Sequence, residues 1–424
     1  SIVVIGQGYV GLTVALFASR AHKVIGFDTN IARVNDLLNG ISHIEGITSS
    51  ALKAAVNSGR LHFTSDPSKI KGAETVVIAV PTPLDKNRKP DLSFISSACK
   101  IIAENLTGPA LIINESTSYP GTIRNFIKPT IEKHSKQKFD HQYAISPERV
   151  DPGREDYNQK NTPRLYAGLT PEATARTREF YSTFCDNLVE VSSPEVAEAA
   201  KLFENTFRQV NIALVNEFAQ ITHALGISVY ETLDAANTKP YGFMKFLPGA
   251  GVGGHCIPVD PSYLLATALD LGVPAKFINL ANETNRDMAN YVIKRVIEDN
   301  PPDLKGKKVQ IIGVSYKSDV ADTREAPAGR IIDTLRSFGA NVDWHDPLVD
   351  KWRGETSSPL GASDISILVT RHAIFSNQAI LDSAPYVFDT TGVLDGTASL
   401  KGVFMARRTS LIHLHVFSVY GKNE

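Results

Sequence analysis

Short apolar segments alternate with helical patterns along the first 190 residues of the chain. The segments rich in β-branched residues are Ile2–Ile5, Lys23–Phe27, Thr75–Val80, Leu111–Ile113 and Arg164–Ala167. Helical patterns such as Val10–Arg20 and Phe94–Glu104 separate several of them. Near-continuous apolar strands separated by helices are typical of a parallel sheet covered on both faces, so this part predicts an α/β domain.

A sustained helical period begins at Ser193. Apolar residues recur at positions 196, 200, 203, 207, 210, 214, 218, 221 and 225, with a period of 3.6 residues. Ser193 as N-cap before Pro194, and Gly226 as C-cap, mark its two ends. We predict one helix over residues 193–225, roughly 50 Å long, which joins domains or subunits.

The α/β pattern returns after Pro301-Pro302. Predicted strands are Lys308–Ile312, Asn341–Trp344, Ser366–Thr370 and Tyr386–Phe388, with a helix over Gly329–Phe338. The two halves share an opening strand followed by glycine, Ile2–Gly6 and Val309–Gly313. We therefore predict two Rossmann-like, doubly wound parallel-sheet domains, residues 1–192 and 301–424, joined by a helical connector and dimerisation domain at 193–300 that contains the long central helix.

Composition narrows the class of protein. The 424 residues carry a net charge of −1, which leaves no basic surplus for nucleic acid or an anionic membrane. The three cysteines, Cys99, Cys185 and Cys256, form no CxxC pair, which favours a reduced compartment and no metal site. The longest apolar runs have strand length, and the chain opens on a strand without a secretory pattern. We expect a cytoplasmic enzyme.

Gly6-Gln7-Gly8-Tyr9-Val10-Gly11 is a GxGxxG motif placed after a strand and at the start of a helix. Such a turn brings backbone amides to a pyrophosphate. Asp28 ends the second strand, where a carboxylate accepts from ribose hydroxyls and repels a 2′-phosphate, so NAD is favoured over NADP. Arg33 argues against this preference for NAD, since a guanidinium neutralises that repulsion. Thr82 at the exit of the Thr75–Val80 strand is either a cofactor contact or a turn residue.

A glycine-rich loop precedes Cys256. Four glycines within Gly249–Gly254 let the backbone wrap closely around a ligand. A thiol near a helix start and a cation can be an activated nucleophile. Cys99 and Cys185 fit small buried residues instead. Asp260 is predicted as the N-cap of the helix that Pro261 begins, and capping alone would explain it.

A cysteine beside NAD indicates oxidation beyond the aldehyde. A thiolate adds to an aldehyde, loss of hydride to NAD gives a thioester, and hydrolysis gives the acid, so a four-electron alcohol-to-acid oxidation is expected. Lys201 and Asn205 lie one turn apart on the long helix, largely off its apolar stripe. They either stabilise an oxyanion and a water or form a solvated polar face.

Seven ordered motifs resemble one known family over nearly the full length. They are Gly6–Gly11, Val80–Pro83, Glu115–Thr117, Ser146–Arg149, Glu198–Asn205, Gly251–Asp260 and the segment from Lys317 through Asp322-Thr323-Arg324-Glu325. The chain is similar to the UDP-glucose/GDP-mannose dehydrogenases, which oxidise a nucleotide sugar at C6 to a uronic acid with two NAD. The resemblance also implies a homodimer formed through the long helix.

The resemblance assigns roles residue by residue. It implies that Cys256 is the nucleophile and that Lys201 and Asn205 stabilise the oxyanion and position the water. Proton transfer and thioester hydrolysis would involve Thr117, Glu148 and Asp260. The expected cofactor contacts are Gly6, Gly8, Tyr9, Val10, Gly11, Asp28, Arg33, Thr82, Thr117 and Arg324. The expected substrate contacts are Glu148, Arg149, Lys201, Asn205, Gly253 and Lys317.

Two departures from the UDP-glucose dehydrogenases point to the substrate. Those enzymes carry Gly-Gly-Ser-Cys-Phe-x-Lys-Asp at the cysteine, whereas Gly253–Asp260 reads Gly-Gly-His-Cys-Ile-Pro-Val-Asp. They continue Pro-Glu with Phe-Leu-Arg-Glu, whereas Arg149–Gly153 follows here, and their second Glu falls on Pro152, so its role is not carried over. Both forms are similar to the branch acting on UDP-N-acetylhexosamines, either N-acetylglucosamine or N-acetylmannosamine.

Other functions stay open at this point. A UDP-glucose 6-dehydrogenase would share most motifs. A β-hydroxyacid dehydrogenase pairs a similar cofactor domain with a helical domain and uses a lysine, but does not require Cys256. A nucleotide-bound sensor requires no thiol. NAD consumed per substrate separates a four-electron enzyme, a two-electron dehydrogenase and a sensor.

Overall fold

The computed structural model describes residues 1–44, 46–150, 156–300 and 303–394. Three segments used in the sequence predictions lie outside these residues: Asp151-Pro152-Gly153, Pro301-Pro302, and the part of the predicted 301–424 domain that follows residue 394. The chain divides into two compact units. Unit 1 comprises Ser1–Val210 and Gly254–Asn282, and unit 2 comprises Asn211–Gly253 and the chain from Glu283 on.

The described residues form strands and helices throughout. The strands are β1 (Ile2–Ile5), β2 (Val24–Phe27), β3 (Leu61–Thr64), β4 (Thr75–Ile78), β5 (Leu111–Asn114), β6 (Gln142–Ile145), β7 (Arg164–Gly168), β8 (Leu188–Glu190), β9 (Lys308–Ile312), β10 (Asn341–His345), β11 (Lys351–Trp352), β12 (Glu355–Thr356), β13 (Ile365–Leu368) and β14 (Tyr386–Asp389). The α-helices are α1 (Tyr9–Ala18), α2 (Ile31–Leu38), α3 (Ser49–Asn57), α4 (Ser93–Asn105), α5 (Lys128–His134), α6 (Pro171–Ser182), α7 (Pro194–Leu225), α8 (Val229–Asn237), α9 (Asp260–Asp270), α10 (Lys276–Asp299), α11 (Pro327–Ser337) and α12 (Asn377–Leu381). Pro67–Ile70 is a 3₁₀ turn and Ile123–Ile127 a π turn.

Unit 1 is built on an eight-stranded sheet of order β3-β2-β1-β4-β5-β6-β7-β8. Strands β3 through β6 are parallel, as predicted, while β7 runs antiparallel to β6 and parallel to β8. Alternate residues of β1 enter two separate apolar cores: Ile2 and Val4 one, Val3 and Ile5 the other. The sheet is therefore covered on both faces, which is the doubly wound arrangement.

Unit 2 contains a four-stranded parallel sheet of order β10-β9-β13-β14 among its described residues. Strands β11 and β12 form a separate antiparallel pair. The main core joins this sheet to α11 and to apolar residues of α8 and α10, such as Leu233, Met288 and Val292. The second Rossmann-like sheet expected from the sequence is thus present.

Helix α7 confirms the predicted long helix, with 32 residues over Pro194–Leu225. Gly226 has φ +73°, its N–H donates to His223, and the Ile227 N–H donates to Thr222. This is a Schellman C-cap on the predicted glycine. The predicted apolar stripe, however, is largely exposed, with Phe203 65% and Leu214 63% accessible.

No single helix among the described residues has both the length and the hydropathy to cross a membrane. Only α7 and α8 taken together, bent by 120°, meet that test.

Candidate active site

The glycine loop of unit 1 adopts the geometry that a dinucleotide requires. Gly6 has φ +88°, and a Cβ there would lie 2.5 Å from the Ala79 oxygen, while one at Gly11 would lie 1.8 Å from the Gly6 oxygen. A Cβ at Gly8 would meet nothing within 4 Å. Gly6 and Gly11 therefore serve the turn and the packing of α1. Gly8, at the N-cap of α1 before Tyr9, leaves space for close approach to the helix amides, so the loop fits a pyrophosphate.

Asp28 is buried directly after β2, where the sequence placed it. Its Oδ2 accepts from the Gln7 N–H at 2.8 Å, and its Oδ1 accepts from the Asn30 N–H at 2.9 Å. The Arg33 guanidinium lies 3.0 Å from Oδ2. Arg33 was expected to neutralise the repulsion between Asp28 and a 2′-phosphate, and its guanidinium is paired with Asp28.

Thr82 is buried where the chain leaves β4. The carbonyl of the next residue, Pro83, accepts from the Tyr263 hydroxyl of α9 at 3.1 Å. This contact fastens the turn to α9 and favours the turn-residue alternative for Thr82.

Asp260 and Asn205 meet in the interior of unit 1. The Asn205 Nδ2 donates to Asp260 Oδ2 at 2.6 Å, and both side chains are buried. The prediction that Asp260 caps α9 is wrong: the helix begins at Asp260, its N-cap is Val259, and the carboxylate turns to Asn205 rather than to its own helix amides. The predicted alternative of a solvated Lys/Asn face fails for Asn205, which is 5% exposed.

The charge on Asp260 is tuned by its surroundings. Burial raises the pKa of this carboxyl to about 6, although the Lys201 charge and the Asn205 amide oppose the rise. The Lys201 charge also acts on Glu148. Lys201 of α7 therefore lies close enough to influence two of the predicted catalytic carboxylates.

Cys256 is exposed and lies one turn before Asp260. Its carbonyl accepts from the Val259 and Asp260 N–H groups at 3.2 and 2.8 Å, which shapes the turn into α9. The Arg88 guanidinium donates to the Pro258 oxygen at 3.1 Å. The nucleophile candidate is thus presented on a braced turn, whereas Cys99 and Cys185 are buried as expected.

Glu148 belongs to a buried ionic network that the sequence analysis did not foresee. Arg164 donates to Glu148 Oε2 at 2.9 Å and lies 3.2 Å from Glu115 Oε1, which also accepts from the Tyr181 hydroxyl at 2.5 Å. Gln159 completes the group through hydrogen bonds to Glu148 and Arg164. Arg164 begins a strand that is otherwise apolar. This charged residue at a strand position is the one feature of the sequence that could have indicated a buried ionic network.

The two carboxyls of this network titrate differently. Burial raises the pKa of Glu115 to about 7 despite Arg164. Burial alone would also raise the pKa of Glu148, but Arg164, Gln159, the Val150 N–H and Lys201 lower it below its ordinary value. Glu148 is therefore held ionised. Arg149, next to it, pairs with Glu204 of α7 at 2.6 Å.

Thr117 is half-buried, and hydrogen bonds hold the chain on either side of it. Ser116 Oγ donates to the Val80 oxygen at 2.8 Å, and Glu198 of α7 accepts from the Gly121 and Ile123 N–H groups at 2.6 and 3.2 Å. Within the described ranges, Thr117 itself makes no hydrogen bond to the other predicted catalytic side chains. Glu198 is buried, and burial raises its pKa to about 8.

Three predicted contacts lie in unit 2. Lys317 occupies the segment between β9 and α11. Arg324 donates through Nε to Asp322 at 2.9 Å. Gly253 packs on the same segment, because a Cβ there would lie 2.6 Å from Tyr316 Cβ and 3.1 Å from the Glu325 oxygen. Only glycine fits this approach.

Comparison with known proteins matches all three parts of one family. The UDP-glucose/GDP-mannose dehydrogenase family matches with its NAD binding domain at residues 1–185, its central domain at 195–287 and its UDP binding domain at 310–396.

Individual relatives cover most of the chain. The UDP-N-acetyl-D-mannosamine dehydrogenase of Methanococcus maripaludis strain C7 is 34% identical over 96% of both chains. The UDP-N-acetyl-D-glucosamine 6-dehydrogenase of Pseudomonas aeruginosa is 33% identical over 89% of this chain and 91% of its own. The solved UDP-D-ManNAc dehydrogenase of Pyrococcus horikoshii is 32% identical, with a TM-score of 0.84, over 92% of this chain and 95% of that one.

The glycine loop and the match to the family's NAD binding domain agree on NAD as the cofactor, and the match to its UDP binding domain indicates a UDP-sugar as the substrate. The chain therefore belongs to the UDP-glucose/GDP-mannose dehydrogenase family and is an NAD-dependent nucleotide-sugar dehydrogenase.

Proposed function

We propose that the protein oxidises C6 of a UDP-N-acetylhexosamine, either N-acetylglucosamine or N-acetylmannosamine, to the uronic acid in a four-electron reaction. The observation that carries the proposal is the Asn205–Asp260 hydrogen bond of 2.6 Å, with Lys201 acting on the same carboxylate and Cys256 one turn away. A base, a cation, an amide and a thiol within unit 1 meet the needs of both half-reactions.

Asp260 accepts the proton in the first half-reaction. A general base works best with a pKa near the operating pH, and burial brings the pKa of Asp260 to about 6. Glu148 suits this task less well, because four hydrogen bonds hold it as a carboxylate. It orders the loop that carries Arg149, which we assign with it to substrate binding. Thr117 remains a proposed participant in proton transfer.

Cys256 carries the second half-reaction. The thiolate adds to the C6 aldehyde, forming a C–S bond and an alkoxide that Lys201 and Asn205 stabilise. Gly6, Gly8, Tyr9, Val10, Gly11 and Asp28 would hold NAD, which would supply the hydride acceptor for both oxidations. Water then attacks the thioester carbonyl with Asp260 as base, the C–S bond breaks, and the thiolate returns.

The remaining site residues complete the proposal. Lys317 and Gly253 belong to substrate binding, in keeping with the family's UDP binding domain at 310–396 for Lys317. Arg33, Thr82 and Arg324 were expected at the cofactor. For Thr82, the bond from Tyr263 to the adjacent Pro83 supports a structural role, and for Arg324 the bond to Asp322 does so.

Two observations support the substrate class. The loop around Cys256 carries His255 and Val259 where UDP-glucose dehydrogenases carry Ser and Lys, and the similar proteins are named as UDP-N-acetylhexosamine dehydrogenases. A panel of UDP-glucose, UDP-N-acetylglucosamine and UDP-N-acetylmannosamine tests it through NADH release. We expect an N-acetylated sugar to turn over fastest, with two NADH formed per sugar. Faster UDP-glucose oxidation would assign the chain to that substrate, and one NADH per sugar would indicate a two-electron dehydrogenase.

A second copy of the chain is the proposed partner. The exposed apolar stripe of α7 comprises Val196, Phe203, Phe207, Leu214, Ile221 and Leu225, whereas Glu198, Asn205, Gln209 and Asn216 are buried. A helix that exposes its apolar face is typical of a dimer interface. We propose a homodimer through α7 and the three-domain division at 192/193 and 300/301. We also propose a cytoplasmic location, which the absence of a disulfide bond among Cys99, Cys185 and Cys256 supports.

A further inference from the structure

The two units begin their sheets with the same turn. Gly6 after β1 and Gly313 after β9 both have positive φ, +88° and +81°, and each N–H donates at 2.8 Å to the last residue of the neighbouring strand. In unit 1 the next N–H, that of Gln7, donates to Asp28 at 2.8 Å. In unit 2 the next N–H, that of Val314, donates to Asp346, also at 2.8 Å. Asp346 therefore occupies in unit 2 the position that Asp28, the acid expected to contact NAD, occupies in unit 1.

The second acid is engaged differently from the first. Asp28 reaches the partly exposed guanidinium of Arg33, whereas Asp346 reaches the fully buried ring of His372 at 3.1 Å. Asp346 also accepts from the Ser315 N–H and Oγ at 3.2 and 3.0 Å and from the Leu348 N–H at 2.9 Å. With these bonds made inside the protein, Asp346 orders its own unit rather than serving as a ribose acceptor.

His372 links this acid to a second point on the chain. Its Nδ1 accepts from the Asp319 N–H at 2.9 Å. A ring that accepts at Nδ1 carries its proton on Nε2, so Nε2 donates to Asp346. One neutral imidazole thus satisfies both contacts, and its orientation is defined at both ends.

The two contact points lie symmetrically around Lys317. Ser315, two residues before it, is held by Asp346, and Asp319, two residues after it, is held by His372. Asp319 adopts a left-handed φ of +61°, and its carboxylate accepts from the Ala373 N–H at 2.6 Å. A non-glycine residue keeps such a conformation only where its surroundings enforce it. The Asp346–His372 pair and its bonds to Ser315 and Asp319 are called the clamp below.

We propose that His372 is a positioning residue, which through the clamp presents Lys317 to the UDP part of the substrate. The inference rests on the proposed function, which assigns Lys317 to substrate binding. Asp28 in the first sheet is assigned to the cofactor. Its counterpart in the second sheet, Asp346, instead helps to hold the segment that carries Lys317.

Two variants cut the clamp at different ends. His372→Gln keeps an amide donor for Asp346 and loses the acceptor for Asp319, while His372→Asn keeps an acceptor near Nδ1 and loses the donor. Calorimetry on the full chain should show UDP binding weakened about tenfold in either variant, the effect of one buried hydrogen bond. KM for NAD and kcat should stay close to wild type. If one variant fails to fold, as judged by thermal unfolding, the other carries the test.

A double-mutant comparison separates positioning from general stability. Added to Lys317→Ala, either His372 variant should weaken UDP binding no further, because its effect passes through Lys317. An equal loss in both backgrounds, or unchanged UDP binding in both His372 variants, would overturn the clamp alone. If Lys317→Ala itself leaves UDP binding unchanged, the substrate role of Lys317 falls as well. His141→Gln is the matched control, since buried His141 in unit 1 also accepts a backbone N–H through Nδ1, and it should not alter UDP binding.

Discussion

Asn205 of α7 and Asp260 of α9 share a buried hydrogen bond of 2.6 Å, although 55 residues separate them in the chain. The bond turns Asp260 away from the amides of its own helix. It thereby changes a residue that the local sequence predicts as a helix cap into a carboxylate available for chemistry.

The pH profile of kcat/KM should report Asp260. If the ionised carboxylate is the base, the rate rises with pH through the pKa of about 6. Lys201→Met removes a positive charge that lowers this pKa, so the acid limb should move to higher pH, while the maximum falls on the order of 10²–10³-fold. Lys294→Met, at an exposed position of α10, is the control. An acid limb that stays in place in Lys201→Met would exclude Asp260 as the titrating base.

Cofactor choice should depend on Asp28 and Arg33 together. Asp28→Asn removes the charge that repels a 2′-phosphate and releases Arg33, so kcat/KM for NADP relative to NAD should rise at least about tenfold. Adding Arg33→Ala should reduce the gain to the part that comes from the lost repulsion. Wild-type turnover with NADP equal to that with NAD would contradict the role given to Asp28.

Stability should depend on Glu198 between pH 5 and 8. Its folded pKa of about 8 lies above the ordinary 4.5, so the folded state binds the proton more tightly, and the free energy of unfolding falls as pH rises through this range. The slope is on the order of 1.4 kcal/mol per pH unit at most. Glu198→Gln should show a shallower slope in thermal unfolding, because the raised pKa values of Asp260 and Glu115 still contribute in this range. Glu195→Gln, on the same helix with a lowered pKa, should keep the wild-type slope. Parallel curves for wild type and Glu198→Gln would refute the raised pKa.

The mass of the protein in solution should report the α7 stripe. Leu214→Glu places a charge on an exposed apolar position and should convert a dimer to a monomer, measured by light scattering. Phe338→Glu, at an exposed aromatic outside α7, should have no effect. A wild-type chain of monomer mass would exclude the dimer.

The hydrophobic pattern of the sequence predicted most strands of the two large sheets, but it did not predict the buried network around Arg164. Strands β1 and β9 match the sequence predictions residue for residue, and the Gly226 cap is where the periodicity ends. Strands β3, β6, β8, β11 and β12 were missed, because they are short or carry polar residues such as His62 and Gln142. They form by pairing with other strands, and a local sequence pattern does not show that pairing.

The same limit applies to the site. The glycine loop, Asp28 and Cys256 follow from adjacent residues and were visible in the sequence. The Arg164 network joins Glu115, Glu148, Gln159 and Tyr181 from five segments. Such a set is defined only by tertiary structure, as is the link between Asp346 and His372.

The most direct test of the account is acid formation from the 6-aldehyde and NAD by Cys256→Ala. Alanine leaves the glycine loop, Lys201 and Asp260 unchanged, so NAD and UDP-sugar should still bind. Without sulfur no thioester can form, and aldehyde oxidation should fall by several orders of magnitude relative to wild type. Aldehyde oxidation at the wild-type rate would show that Cys256 is not the nucleophile and would contradict the mechanism.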